Sequence, residues 1–216
     1  MKENVTVTWL GHACFKMEYK KWSLIIDPYA DGSVPGLGPV RESAGAVYCS
    51  HGHGDHAAAG NVKIKIGRPP IDFALITANC PHDDQGGKLR GDNRIHVFSF
   101  GGKKIVHMGD AGCMPSPAAL KLAKGCDLLL IPVGGYYTVD AAEAFAITEA
   151  VGPRAVVPMH YRSDAPAFGF DVLSTVEDFA ARFSAGSVVR KAESSLTVSE
   201  DAPRGLVILT PALAGK

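Results

Sequence analysis

No Cys-x-x-Cys spacing occurs among the five cysteines of this 216-residue chain, and their odd number speaks against a disulfide framework. Cys14, Cys49, Cys80, Cys113 and Cys126 are expected to be reduced thiols of a cytoplasmic protein. Long apolar runs are missing as well. The stretch 128–133 falls far short of the ~18 residues that read as a membrane span, so no membrane segment is expected. Residues 1–20 lack an unbroken apolar stretch, because Glu3, His12, Lys16 and Glu18 punctuate them, and no secretion signal is expected. Net charge is also absent: Lys plus Arg and Asp plus Glu number 22 each, with no basic run to draw nucleic acid. What is present is 46% hydrophobic and 20% charged residues, the composition of a globular chain, read as one domain over 1–216. The expected partner is a small-molecule substrate, and assembly into a homo-oligomer is left open.

Alternating apolar and turn residues predict strands at 5–10, 13–19, 23–26, 46–50, 62–66 and 73–78. Two more follow at 94–100 and 104–108, with Gly101 and Gly102 marking a hairpin between them. The second half alternates helix and strand. Ser116 and Pro117 open a helix, 127–132 reads as a buried strand, and Asp140 with Glu143 fits a capping box heading the next helix. Residues 154–159 predict another buried strand. Ser174 and Glu177 fit a second capping box, before a last long helix carrying Phe179, Ala180 and Phe183. Strands near 187–190, 195–198 and 206–209 close the chain. Two sheets covered by helices are the layer solution for this order.

Residues 51–56 read His-Gly-His-Gly-Asp-His directly after an apolar strand, four ligand-type side chains in six positions. In extended backbone His51 and His53 point the same way and can reach one ion. Gly52 and Gly54 remove Cβ bulk from the turn, and Asp55 and His56 start a short Ala-rich helical turn ending at Gly60, where they can face a second ion. A solvated His-rich loop is the alternative, and the density of the pattern argues against it. A catalytic site needs further ligands, and strand ends are where to look for them. His82, Asp110 and His160 each follow a predicted strand. Singly they read as a loop residue, a turn residue and a core histidine; together with the loop they make seven ligands.

With these residues in hand, the chain resembles the metallo-β-lactamase fold superfamily over nearly its whole length. Further segments resemble its ascorbate-6-phosphate-lactonase-like branch: Trp9-Leu-Gly-His-Ala, Ile26-Asp-Pro, His107-Met-Gly-Asp, Leu130-Ile-Pro-Val-Gly-Gly and Pro158-Met-His. The resemblance implies an α/β fold, a four-layer αββα sandwich of two mixed β-sheets flanked by helices, with the site at one edge between the sheets. It implies His51, His53 and His82 on one metal, Asp55, His56 and His160 on the other, and Asp110 between both. Two zinc ions are expected, with Mn or Fe as alternatives. Asp27 matches the family's strand-end Asp that orients a ligand imidazole, its plain reading being an Asp-Pro turn. His12 is either a donor beside the site or a packed turn residue, and His96 and His107, inside strand patterns, read as structural.

Such a site activates water, with Asp55 expected to take the water's proton as the catalytic base. The expected reaction is hydrolysis of a small-molecule ester, lactone or phosphodiester. Alternatives are a metal-binding or sensor protein without turnover, and a nuclease of the same fold. Gly86, Gly87 and Gly91 predict a mobile loop over 83–93 beside His82 that closes over substrate. In it Arg90 is expected to meet an anionic substrate group, while Tyr136 and Tyr137 are expected to line the pocket.

Overall fold

The computed structural model describes residues 4–215. The first half forms β1 (Val5–Gly11), β2 (Cys14–Tyr19), β3 (Trp22–Ile26), β4 (Ser43–Ala44), β5 (Ala46–Tyr48), β6 (Lys63–Ile64), β7 (Ala74–Pro81), β8 (Asp92–Phe100) and β9 (Lys103–His107). The second half follows with α1 (Pro117–Ala123), β10 (Leu128–Pro132), α2 (Ala141–Val151), β11 (Ala155–Met159), β12 (Ser163–Asp164), β13 (Ala167–Phe168), α3 (Glu177–Ala180), β14 (Val188–Arg190), β15 (Ser195–Val198) and β16 (Gly205–Ile208).

Two sheets dominate, one of five strands in the order β15-β1-β2-β3-β5 and one of seven in the order β14-β16-β11-β10-β9-β8-β7. β10 and β11 are parallel neighbours buried along their whole length, as strands covered on both faces must be. α2 connects them and packs on β10, α1 packs on β7 and β8, and α3 packs on α2. The other sheet alternates instead: Val5, Val7 and Trp9 of β1 are buried while Thr6 and Thr8 between them are only half-buried. Aromatic pairs bind the sheets face to face, with Tyr19 on Phe100 at 5.7 Å and Tyr48 on Phe98 at 5.6 Å between ring centroids. The result is the mixed α/β sandwich that the resemblance implied. No helix among the described residues is long and apolar enough to cross a membrane.

Local signals decide most elements. Ser116 caps α1 by accepting from the Ala119 amide, and Asp140 and Glu143 form the full capping box of α2. The Gly101-Gly102 hairpin has both residues at positive φ, as a two-residue turn that matches strand twist requires.

Two expectations are corrected. The strand at 62–66 shrinks to Lys63–Ile64, both exposed and paired only with β4. The Ser174 capping box does not form, and the long helix is the single turn α3. Tertiary bonds win there: the Ser174 amide donates to the Gly134 carbonyl, its carbonyl accepts from the Arg162 amide, and Thr175 bridges to Arg162. Beyond Ala180 the chain tightens to i→i+3 bonds, Arg182 to Phe179 and Phe183 to Ala180.

β1, β3 and β5 run in one direction within their sheet, and β7, β9, β10 and β11 do so in theirs. The carboxyl ends of such strands are where loops can converge on a ligand.

Candidate metal centre

Six of these strand ends meet. β1 runs into His12, β3 into Asp27, β5 into Ser50 and His51, β7 into His82, β9 into Asp110 and β11 into His160. After His51 the chain makes one helical turn, with the His56 and Ala57 amides donating to the His53 carbonyl, which swings Asp55 and His56 back toward the strands. His12, Asp27 and His160 adopt φ of 53°, 52° and 55° without being glycine, and such conformations cost about 1–3 kcal/mol each and persist where surrounding structure holds them.

Asp110 is the hub, 2% exposed. Its Oδ2 lies 3.2 Å from His56 Nε2, 3.2 Å from His160 Nε2, 3.3 Å from His82 Nε2 and 3.9 Å from His51 Nε2. One carboxylate oxygen has only two lone pairs, so four imidazole nitrogens aimed at it are arranged as ligands to something lying between them. His51 Nε2 and His53 Nδ1 are a further 3.0 Å apart, and Asp110 Oδ1 and His56 Nε2 are buried without an aligned hydrogen bond. Candidate ligand atoms fall into the groups His51, His53 and His82; His12, Asp55, His56 and His160; and His51, His56 and Asp110, each within 4.8 Å. The structure therefore brings all seven expected ligand residues together, and adds His12.

Two buried carboxylates favour positive charge at His56. Burial by itself would lower the His56 pKa, yet Asp110 and Asp27 raise it well above its ordinary value. Burial would raise the Asp110 pKa, and His160 and His56 instead hold it well below the carboxylate range. A buried site that stabilises positive charge and offers imidazole and carboxylate donors fits Zn, Mn or Fe.

Supporting groups fix the imidazoles. Asp27 accepts from the Ser50 amide and hydroxyl at 2.6 Å each and from His56 Nδ1 at 2.9 Å, which leaves His56 Nε2 facing Asp110. With the Ser50 hydroxyl donating to Asp27, its oxygen accepts a hydrogen bond from His51 Nδ1–H at 2.9 Å, and His51 Nε2 is left unprotonated. One carboxylate thus sets two tautomers. Asp27→Asn is expected to lower metal affinity roughly 10- to 100-fold while the chain stays folded, measured by competition with a chromophoric chelator. An unchanged affinity would remove Asp27 from the site.

Burial pushes His12 down to about 3, so it is neutral and donates Nε2–H to Asp55 Oδ2 at 3.2 Å. Its carbonyl accepts from Trp9 Nε1 and from the His160 amide, so it ties Asp55 to the β11 end. For Asp55, burial acts upward and the His12 hydrogen bond with nearby His56 downward, and the net direction is down. Asn93 is a residue that sequence reasoning missed. Fully buried, it donates to the Met108 carbonyl and accepts from the Asp110 amide, each at 2.9 Å, clamping the turn that presents Asp110. Gly109 must lack a side chain there, since a Cβ would stand 2.1 Å from Asn93 Oδ1. His107, read as structural, is locked by the Ala13 carbonyl and the Gly109 amide.

A cavity of about 420 Å³ opens on the cluster, and Arg90, Tyr137, Ser33 and Phe170 line it besides the ligand residues. Ser33 and Phe170 carried no signal in the sequence. Tyr136 does not reach the cavity: at φ 58° its chain turns the ring outward, 64% exposed and edge-on to Tyr137. The loop expected to be mobile is instead clasped by the Asp83 carboxylate, which accepts the amides of Gln85, Gly87, Leu89 and Arg90 at 2.8–2.9 Å. Burial would raise the Asp83 pKa, and these amides bring it down to about 2. A lowered carboxylate pKa stabilises the fold above its unfolded value of 3.8, so the clasp holds at neutral pH and is lost as pH falls toward 2.

The profile of a family described as a beta-lactamase superfamily domain matches residues 6–160. Among curated relatives, a UPF0173 metal-dependent hydrolase of Thermoplasma acidophilum is 26% identical, the match covering 74% of this chain and 85% of the relative. A UPF0173 protein of Pyrococcus furiosus is 30% identical over 72% of this chain and 82% of its own length. Among solved structures, a Thermotoga maritima protein proposed as a Zn-dependent hydrolase of the metallo-beta-lactamase superfamily superposes with a TM-score of 0.71 at 27% identity, covering 95% of this chain and 98% of that one.

Proposed function

This chain belongs to the beta-lactamase superfamily domain family and to its UPF0173 metal-dependent hydrolases, and from that premise we propose that it hydrolyses a small-molecule ester, lactone or phosphodiester with two bound divalent ions, zinc by preference. The observation that carries the reading is the convergence of four imidazole nitrogens on Asp110 Oδ2 at the floor of a 420 Å³ cavity. His51, His53 and His82 would hold one ion, Asp55, His56 and His160 the other, and Asp110 both. Bound there, the ions would supply Lewis acidity that activates water at neutral pH.

The chain's own residues do the rest. Asp27 and Ser50 keep His51 and His56 aimed. Asp55, ionised and reached by His12 Nε2–H, receives the proton of the attacking water and keeps the nucleophile oriented, while Asn93 holds Asp110 still. Tyr137 and Phe170 cover the organic part of the substrate. The Trp9-Leu-Gly-His-Ala and Pro158-Met-His segments support the ascorbate-6-phosphate-lactonase-like branch, and five unpaired cysteines support a reducing compartment, the cytoplasm.

Protein purified without chelator is expected to carry close to two divalent ions per chain by elemental analysis. Its hydrolysis of activated esters, lactones or phosphodiesters should vanish on chelation and return with added Zn or Mn. A folded chain that neither holds nor takes up these ions would refute the reading.

A further inference from the structure

Arg90 is half-buried at the cavity, and its guanidinium has no ion pair or hydrogen bond among the described residues. It lies over the Tyr137 ring, 5.7 Å from the centroid. Its donors are therefore free to meet an anion that enters the cavity. A solvated loop arginine would also have no use for the support found beneath this one. Asp83, 2% exposed, spends both carboxylate oxygens on four backbone amides, two of them those of Leu89 and Arg90. The loop is closed at its base by the His82 amide on the Gly91 carbonyl, and by the Gly91 amide on the Gly87 carbonyl. Against its other side lies the segment after Asp110, so close that a Cβ on Gly112 would stand 2.2 Å from the Asp83 amide nitrogen. The position of Arg90 is therefore tied to His82 and to Asp110, two residues of the cluster.

We propose that Arg90, held by the Asp83 clasp and backed by Tyr137, is an anion subsite, so that the substrate carries a phosphate or carboxylate group apart from the bond that is cleaved. The inference rests on the hydrolase reading and narrows its substrate class. A planar guanidinium offers paired N–H donors that match either oxyanion, and a clasped backbone with the Tyr137 ring against the side chain lowers the ordering cost of binding. Tyr137 supports the guanidinium face and, with Phe170 at 6.0 Å, walls the space in which the carbon skeleton lies.

The test uses three 4-nitrophenyl esters with the same leaving group on metal-loaded protein: the mono-ester of adipic acid, its neutral methyl ester, and 4-nitrophenyl 5-phosphonopentanoate. The readout is the ratio of kcat/KM for each anionic ester to that of the neutral one. A charge-assisted contact predicts a wild-type ratio of roughly 10 to 100 for the carboxylate or the phosphonate arm, seated in KM, and the larger ratio identifies which anion the subsite prefers. Arg90→Ala should bring the ratio toward unity and Arg90→Lys should retain part of it. Asp83→Asn, with Arg90 present but unclasped, should lose it too, at unchanged metal content. A wild-type ratio near unity for both arms, or a ratio that survives Arg90→Ala, overturns the proposal. If no ester is turned over, only the ester arm of the hydrolase reading fails, and it does so separately. Calorimetric titration with inorganic phosphate and with acetate then decides the subsite: binding weakened at least roughly 10-fold by Arg90→Ala supports it, and equal binding overturns it.

Discussion

Asp110→Asn is expected to strip the site of tightly held metal. Losing a charged ligand should cost more than the roughly 10- to 100-fold lost with a partner outside the ligand set, so metal binding is expected to weaken by at least roughly two decades. The effect is large because Asp110 Oδ2 is the point on which His51, His56, His82 and His160 converge, and His56 is held in its charge-stabilising environment by Asp110 together with Asp27. Size is conserved and the turn bonds of Asn93 go to the backbone of residues 108 and 110, so the fold should survive. Elemental analysis beside a circular dichroism spectrum checks this. Two ions retained at wild-type affinity would show that Asp110 is not a ligand, and that the convergence of imidazoles has another purpose.

Asp55→Asn is expected to act on turnover. The amide keeps the size and one oxygen of the carboxylate, and it can still accept the His12 hydrogen bond, but it has neither the charge nor the basicity to take a proton. A proton-transfer role predicts a fall in kcat of ~10² or more. Asp55 is less buried than its neighbours, its side chain 22% exposed against 0% for His12 and His56, so its replacement should disturb packing little. Metal occupancy has to be measured on the same preparation, since lost metal lowers kcat as well. A variant with both ions and near-normal kcat would sink the proposed role.

The candidate ligands were legible because metal chemistry needs a narrow set of side chains at close range. Four of them in the six positions from His51 to His56 have few other uses, and His82, Asp110 and His160 could be sought wherever a predicted strand ended. The helpers were not legible in the same way. Ser50 and Asn93 are single polar residues at strand ends, with no period and no motif of their own, and their roles exist only because Asp27 and the Asp110 turn arrive beside them from distant sequence. Asp83 and its glycine-rich loop misled: the glycines predict freedom, but positive φ at Gly86, Gly87 and Gly91 is what lets four amides turn inward onto one carboxylate.

The two capping boxes mark the dividing line. Asp140 with Glu143 forms its box, because every bond in it lies within one turn of chain and nothing nearby competes. Ser174 with Glu177 carries the same local pattern and fails, because the Ser174 backbone is claimed by Gly134 and Arg162. By itself the sequence determined what depends on near neighbours: the alternation of buried and exposed positions, the caps and hairpin, and the crowding of ligand side chains after β5. Tertiary structure decided what depends on distant segments meeting: the aim of the ligand imidazoles, the turn that presents Asp110, and the seating of the Asp83 loop against Gly112. The aim of His56 and the presentation of Asp110 are set by Asp27 and Asn93, 29 and 17 positions away, whose hydrogen bonds exist only once distant strands have come together.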